Sequence, residues 1–169
     1  MTLTRASDQR TLLRSSQGEI VQLSVSDGGV PKLPIDEARV TVNGINRDRQ
    51  RNRRFHGGPD RAVCLWSYEI IDRLHLEGHP VGPGSTGENL TVKGLDWTLM
   101  QPGRVLEIGP TVMIELTSFA RPCKTNAQWF IDGDFRRIDE TIHPGWSRVY
   151  ARVLAEGDIQ RDSSILLRD

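Results

Sequence analysis

The chain has 169 residues, and its 22 Lys and Arg balance its 22 Asp and Glu for a formal net charge of zero. An apolar fraction of 37% and a charged fraction of 26% exclude a disordered chain, and the charge balance excludes the global basic field of a nucleic-acid or membrane-surface binder. No apolar run approaches the roughly 20 residues needed to cross a bilayer, and this length predicts one domain, residues 1–169, with a sizeable core.

The opening "MTLTRASDQRTLLRSSQ" lacks a secretory apolar segment and carries Asp8; its Arg and Ser content is the one feature it shares with organelle transit peptides. Two cysteines allow at most one disulfide, so a cytoplasmic location is expected. "GEIVQLSVS" (18–26) has the near two-residue apolar period of a strand, and "GGVPK" (28–32) breaks it as a turn. Further strands are predicted in "ARVTVNGI" (38–45), "AVCLWS" (62–67), "ENLTVKGL" (88–95), "RVLEIG" (104–109), "VMIELTSF" (112–119), "RVYARVLA" (148–155) and "SSILLRD" (163–169). "SYEIIDRLHLEG" (67–78) puts Ile70, Ile71 and Leu74 on one helical face, with Ser67 as cap and Gly78 as stop. "KTNAQWFI" (124–131) and "FRRIDETI" (135–142) have room for two helical turns each. Many short strands, two or three short α-helices and no regular βα alternation predict a mainly β fold, a barrel.

The two cysteines differ in setting. Cys64 lies in "AVCLW", where a small apolar residue suits a buried strand. Cys123 follows Pro122, precedes a short helix and stands between Arg121 and Lys124. Helix N–H groups and neighbouring cations favour a thiolate, the nucleophilic and metal-binding form; a half-buried loop cysteine is the plainer alternative. In "RFHGGPDRAVCLW" (54–66), Gly57 and Gly58 let the backbone approach a ligand, while His56, Asp60 and Arg61 flank them, Arg61 with a donor fork suited to phosphate. A Gly-Gly-Pro segment is, however, more often simply a turn. In "GPGSTGENLTVKGLDW" (82–97), Glu88 and Asn89 follow a glycine-rich approach from which they can point into a pocket; alternatively Asn89 satisfies the turn and Glu88 pairs with an arginine.

Other patterns carry less. The five arginines of "NRDRQRNRRF" (46–55) lack interleaved aromatic residues and read as a solvated loop, partly serving an anionic cofactor. His75 and His79 have helical metal-ligand spacing, but Gly78 and Pro80 end that helix and no third ligand follows. There is no G-x-S-x-G elbow for a serine hydrolase.

The ordered set "GEIVQLSVSDGGVPKLPIDEARVTVNGI", "HGGPDRAVCLW", "GENLTVKGLDW", "PGRVLEIG", "TSFARPCKTNAQWF" and "GWSRVYARVLAEG" resembles the MOSC domain, named for the C-terminal domain of molybdenum cofactor sulfurases. The resemblance spans about 17–168 and is strongest to stand-alone bacterial members similar to the mitochondrial amidoxime-reducing component. It implies a β-barrel and a molybdopterin-type molybdenum cofactor. It also implies that Cys123 is the metal ligand or carries sulfur. On the same matching, Lys32, His56, Gly57, Gly58, Arg61, Asn89, Arg121 and Lys124 bind the cofactor, and Asp60 and Glu88 are candidate proton donors. "EGDIQRDSSILL" departs from the family at Asp162 and Ser163. The implied activity is reduction of N-hydroxylated small molecules such as hydroxylaminopurines and amidoximes. Because no flavin, haem or iron–sulfur motif occurs in these residues, electrons are expected from separate proteins. The rival reading is a non-enzymatic cofactor or persulfide carrier loaded by a separate desulfurase, and a domain that has lost its ligand is a third. No nucleic-acid or membrane partner is expected.

Overall fold

Seven strands close on themselves. The computed structural model describes residues 16–49 and 57–169, and its strands in chain order are β1 (Gln17–Val25), β2 (Leu33–Ile35), β3 (Glu37–Thr41), β4 (Gly44–Ile45), β5 (Val63–Ser67), β6 (Leu90–Lys93), β7 (Val105–Ile108), β8 (Val112–Ala120), β9 (Arg148–Ala155), β10 (Gly157–Gln160) and β11 (Ser164–Leu167). The barrel runs β1–β11–β7–β8–β9–β5–β6 and back to β1, with β2 paired to the far end of β1 at Leu23–Val25. β10, β3 and β4 form a separate three-stranded sheet. Closure removes the exposed sheet edge that an open sheet must protect. The mainly β barrel expected from the sequence is the architecture found.

One pair in the barrel, β5 with β6, is parallel. A parallel pair needs a long crossover, and residues 68–89 supply it, beginning with the helix α1 (Tyr68–Leu76). Ser67 caps α1 by accepting from the Ile70 N–H, and Ile70, Ile71 and Leu74 are its buried face, as the periodicity predicts. Gly78, at φ 97°, ends it. The rest of the crossover is loop, and it delivers Gly84, Thr86, Glu88 and Asn89 to the site described below.

Three local readings change. "ARVTVNGI" is a hairpin rather than one strand: β3 turns into β4 through Val42–Asn43, with Gly44 at φ 116°. A side chain on Gly44 would meet the Ala62 carbonyl 2.7 Å away, so this turn is packed against the start of β5. β1 is bulged opposite β6 between Ile20 and Gln22, which brings Ile20 and Leu23 inward although they are three apart. The two short helices expected after Cys123 are 3-10 turns, Lys124–Trp129 and Phe135–Ile138. Ile20, Leu65, Trp66, Leu106, Ile114 and Leu116 are fully enclosed. Among the described residues, no helix is long and apolar enough to cross a membrane.

Candidate functional site

β8 ends at Ala120, and Arg121–Pro122 carries the chain out of the barrel to Cys123, which stands at the head of the 3-10 turn. Asn126 clasps the cysteine backbone from both sides. Its Oδ1 accepts from the Cys123 N–H at 3.2 Å, and its own N–H donates to the Cys123 carbonyl at 2.8 Å. The half-buried thiol has a hydroxyl neighbour, with Sγ 2.8 Å from Thr125 Oγ1.

The clasp is bolted to the crossover loop through one carbonyl oxygen. Thr86 O accepts from Asn126 Nδ2 at 3.2 Å and from Arg148 Nη1 at 2.5 Å. Arg148 Nη2 also donates to the Arg121 carbonyl at 3.4 Å, so one guanidinium joins the segment before Cys123 to the loop before Glu88. Glu88 fixes that loop from within. Its Oε1 accepts from the Gly84 N–H at 2.6 Å and Thr91 Oγ1 at 3.2 Å, and its Oε2 from Thr86 Oγ1 at 3.1 Å. The carboxyl is fully buried, and that burial raises its pKa above the ordinary glutamate range. Both oxygens are therefore engaged in holding a loop, which corrects the expectation that Glu88 is a proton donor facing a pocket.

Lys32 and Asn89 belong to a second, closed network. Asp48 Oδ2 accepts from Lys32 Nζ at 2.5 Å and Asn89 Nδ2 at 2.8 Å, while its Oδ1 accepts from the Ser26 N–H at 3.0 Å. Asn89 also takes the Cys64 N–H on Oδ1 at 3.1 Å and is wholly enclosed. The structure thus places Lys32 and Asn89 together, but on a carboxylate of this chain rather than open to a ligand. Gly84 lets the crossover loop approach: a side chain there, at φ 81°, would meet the Lys32 carbonyl at 2.3 Å. Asp48 is shared with a cleft of about 580 Å³ that Asn43, Gly44, Ile45, Gly57, Gly58 and Ala62 also line. The two glycines therefore border a cleft.

Between the two networks stands Tyr150, across the β5–β9 ladder from Cys64 and across the β8–β9 ladder from Ser118. The Arg61 guanidinium lies over its ring, 5.5 Å from the centroid. Burial is the main cause that pushes the Tyr150 phenol up to about 12; the nearby charges of Cys64, Arg148, Arg61 and Cys123 also act on it. Cys64, Ala120 and Tyr150 form a buried cluster of their own, apart from the main core. Burial likewise drives the Cys64 thiol up to about 11, so it is a neutral packing group, in line with its strand setting. Arg121 and Lys124 flank the cysteine as exposed residues. The Asp60 side chain is exposed and pairs with Arg152 at 3.5 Å. His56 lies outside the described residues.

Sequence reasoning missed Asp48, Thr86, Asn126, Arg148 and Tyr150. Arg148 and Tyr150 carry a signal in retrospect: "SRVYA" places an arginine among four consecutive buried strand residues, and a buried Arg needs a reason. Thr86 acts partly through its backbone carbonyl, for which side-chain identity gives no signal.

A closed barrel that presents one half-exposed cysteine among cations, tied to a glycine-rich crossover, is the class of fold and site. The MOSC domain model matches residues 52–166, and the chain belongs to the MOSC domain family. Protein YiiM of Escherichia coli (strain K12) is 28% identical over 148 residues, which are 82% of this chain and 62% of that protein. A protein named Reductase from Gibberella moniliformis is 27% identical over 117 residues, 66% of this chain and 20% of its own length. The chain therefore spans about three-fifths of the first relative and a fifth of the second. The crystal structure of YiiM from Geobacillus stearothermophilus has the same fold, with a TM-score of 0.70 and 23% identity over 90% of this chain and 75% of that one.

Proposed function

We propose that this chain is a molybdenum-cofactor-binding oxidoreductase that reduces N-hydroxylated small molecules, with Cys123 as the protein's ligand to the metal. The observation that carries the reading is Cys123 itself: a half-exposed thiol whose backbone is clasped by Asn126 and which Arg121 and Lys124 flank in the chain. Among the described residues, no group of three or more His, Cys, Asp or Glu could hold a metal ion alone. A metal at Cys123 would take its other ligands from a cofactor, and a soft thiolate suits such a centre. The donor set fits an anionic metal–pterin group, with Arg121 and Lys124 flanking the cysteine in the chain, Arg61 over the Tyr150 ring, and a guanidinium nitrogen of Arg148 buried without a partner. The family membership and the reductase name of one relative support the same direction.

When bound, the cofactor supplies a two-electron couple and a site that accepts oxygen. The overall change is R–NHOH plus two electrons and two protons giving R–NH₂ and water. The chain's own part is positional. Asn126 and Arg148 set the place of Cys123, Glu88 holds the loop they grip, and Arg61, Arg121 and Lys124 attract negative charge. Lys32 and Asn89 shape the wall through Asp48, and Gly57 and Gly58 open the adjoining cleft. On this reading, electrons arrive from a separate donor protein.

The test is metal analysis of protein made in a host that synthesises molybdopterin, together with reduction of a hydroxylaminopurine by an artificial electron donor. Near-stoichiometric molybdenum and turnover are expected, and both vanish in Cys123→Ala. Protein free of molybdenum that carries a labile sulfur on Cys123 would overturn the proposal in favour of a sulfur carrier.

A further inference from the structure

Arg148 is a buried cation with no carboxylate bonded to it. Its side chain sits in β9 and the residue is only 5% exposed. Moving a charge out of water costs several kcal/mol, so interior arginines are ordinarily paired with carboxylates. Here the partners are two backbone carbonyls, Thr86 O and Arg121 O, while Nε is enclosed and bonded to nothing. Among the described residues no carboxylate lies within 4 Å of this guanidinium. Glu88, whose charge it feels, spends its oxygens on Gly84, Thr86 and Thr91. Cys64 and Tyr150 are neutral at ordinary pH.

The carbonyls could be satisfied by a neutral donor such as Asn126, which already reaches Thr86 O. What a guanidinium adds is charge. It adds that charge at the Arg121 carbonyl, two residues before Cys123. We infer that Arg148 is the buried counter-cation for a negatively charged ligand group bound beside Cys123, and that it completes its ion pair only when that ligand is present. This goes beyond the family reading, since none of the motif segments singled out Arg148. It rests on Cys123 being the ligand-side thiol, but on no metal.

The test uses the whole chain without cofactor and two alkylating reagents of similar size, neutral iodoacetamide and anionic iodoacetate. Both attack the same thiolate, so the ratio of their rates cancels the thiolate fraction and reads the local field. Peptide mass spectrometry follows Cys123 separately from Cys64. Arg148→Met is expected to lower the iodoacetate-to-iodoacetamide ratio at Cys123 by about threefold or more. Arg148→Lys, which keeps the charge but not the fork, stays within about twofold of wild type. Should Arg148→Met fail to fold, salt decides: a buried charge is poorly screened, so the wild-type ratio keeps most of its value at high salt. An unchanged ratio in folded Arg148→Met, an equal loss in both variants, or a wild-type ratio that high salt reduces to that of a free cysteine peptide would each overturn the inference. None of these outcomes depends on whether molybdenum binds, which Cys123→Ala tests separately.

Discussion

Lys32–Asp48–Asn89 and Cys123–Asn126–Arg148 are neighbouring polar clusters built on opposite plans. In the first, both carboxylate oxygens of Asp48 have donors and the one cation has its anion. In the second, a thiol is partly open and a guanidinium nitrogen is orphaned. A network whose carboxylate is filled from within fixes geometry. An unsaturated one holds interaction energy in reserve. Lys32 and Asn89 were expected at the ligand from their motifs, yet they stand in the saturated cluster, while the unassigned Arg148 stands in the other.

The contrast can be broken most sharply at the two thiols. Cys64, with its pKa near 11, is on the order of 0.1% thiolate at pH 8 and is enclosed as well. Iodoacetamide should therefore modify Cys123 on the order of a hundredfold faster in native protein, with Cys64 reacting only on unfolding; comparable rates would erase the distinction. Next in size is Asp48→Ala, which strands the buried Lys32 ammonium and should cost about 3–5 kcal/mol, read from the denaturant midpoint. A small loss would mean that Lys32 is free to serve a ligand after all.

A gentler effect is expected from Glu88. Its folded-state pKa is raised by burial, so the folded chain holds that proton more tightly than the unfolded chain does. The stability it contributes is complete below the ordinary glutamate range and is lost as pH rises through the raised value. Thermal midpoints of wild type should fall over that window, and Glu88→Gln should flatten the curve. Smallest of all is Asp60→Asn: an exposed pair with Arg152 contributes little, and no measurable shift in midpoint is expected.

Much of the barrel was legible because its signals are local. Ser67 before Ile70 and Ile71 announces α1, and the apolar alternation of β8 and β9 announces strands. Errors arose where a single residue shifts the frame. The bulge at Val21 moves Leu23 inward, and Asn43–Gly44 folds one apparent strand into a hairpin. In the site, Cys123 was visible as a cysteine in cationic company. Asp48 was hidden in an arginine-rich stretch that reads as solvated surface. Thr86 bonds Asn126 and Arg148 through its carbonyl oxygen, an atom every residue possesses.

The seam of the barrel has its own consequence. Gln17–Glu19 of β1 pair with Ser164–Leu166 of β11, across almost the entire described length. Such distant pairing is made late, since long loops must be closed first. As the chain leaves the ribosome, Cys123 emerges well before the strand that shuts the cylinder. Closing the cylinder frames the loops around Cys123, so a ligand bound there would favour the closed cylinder over the open one.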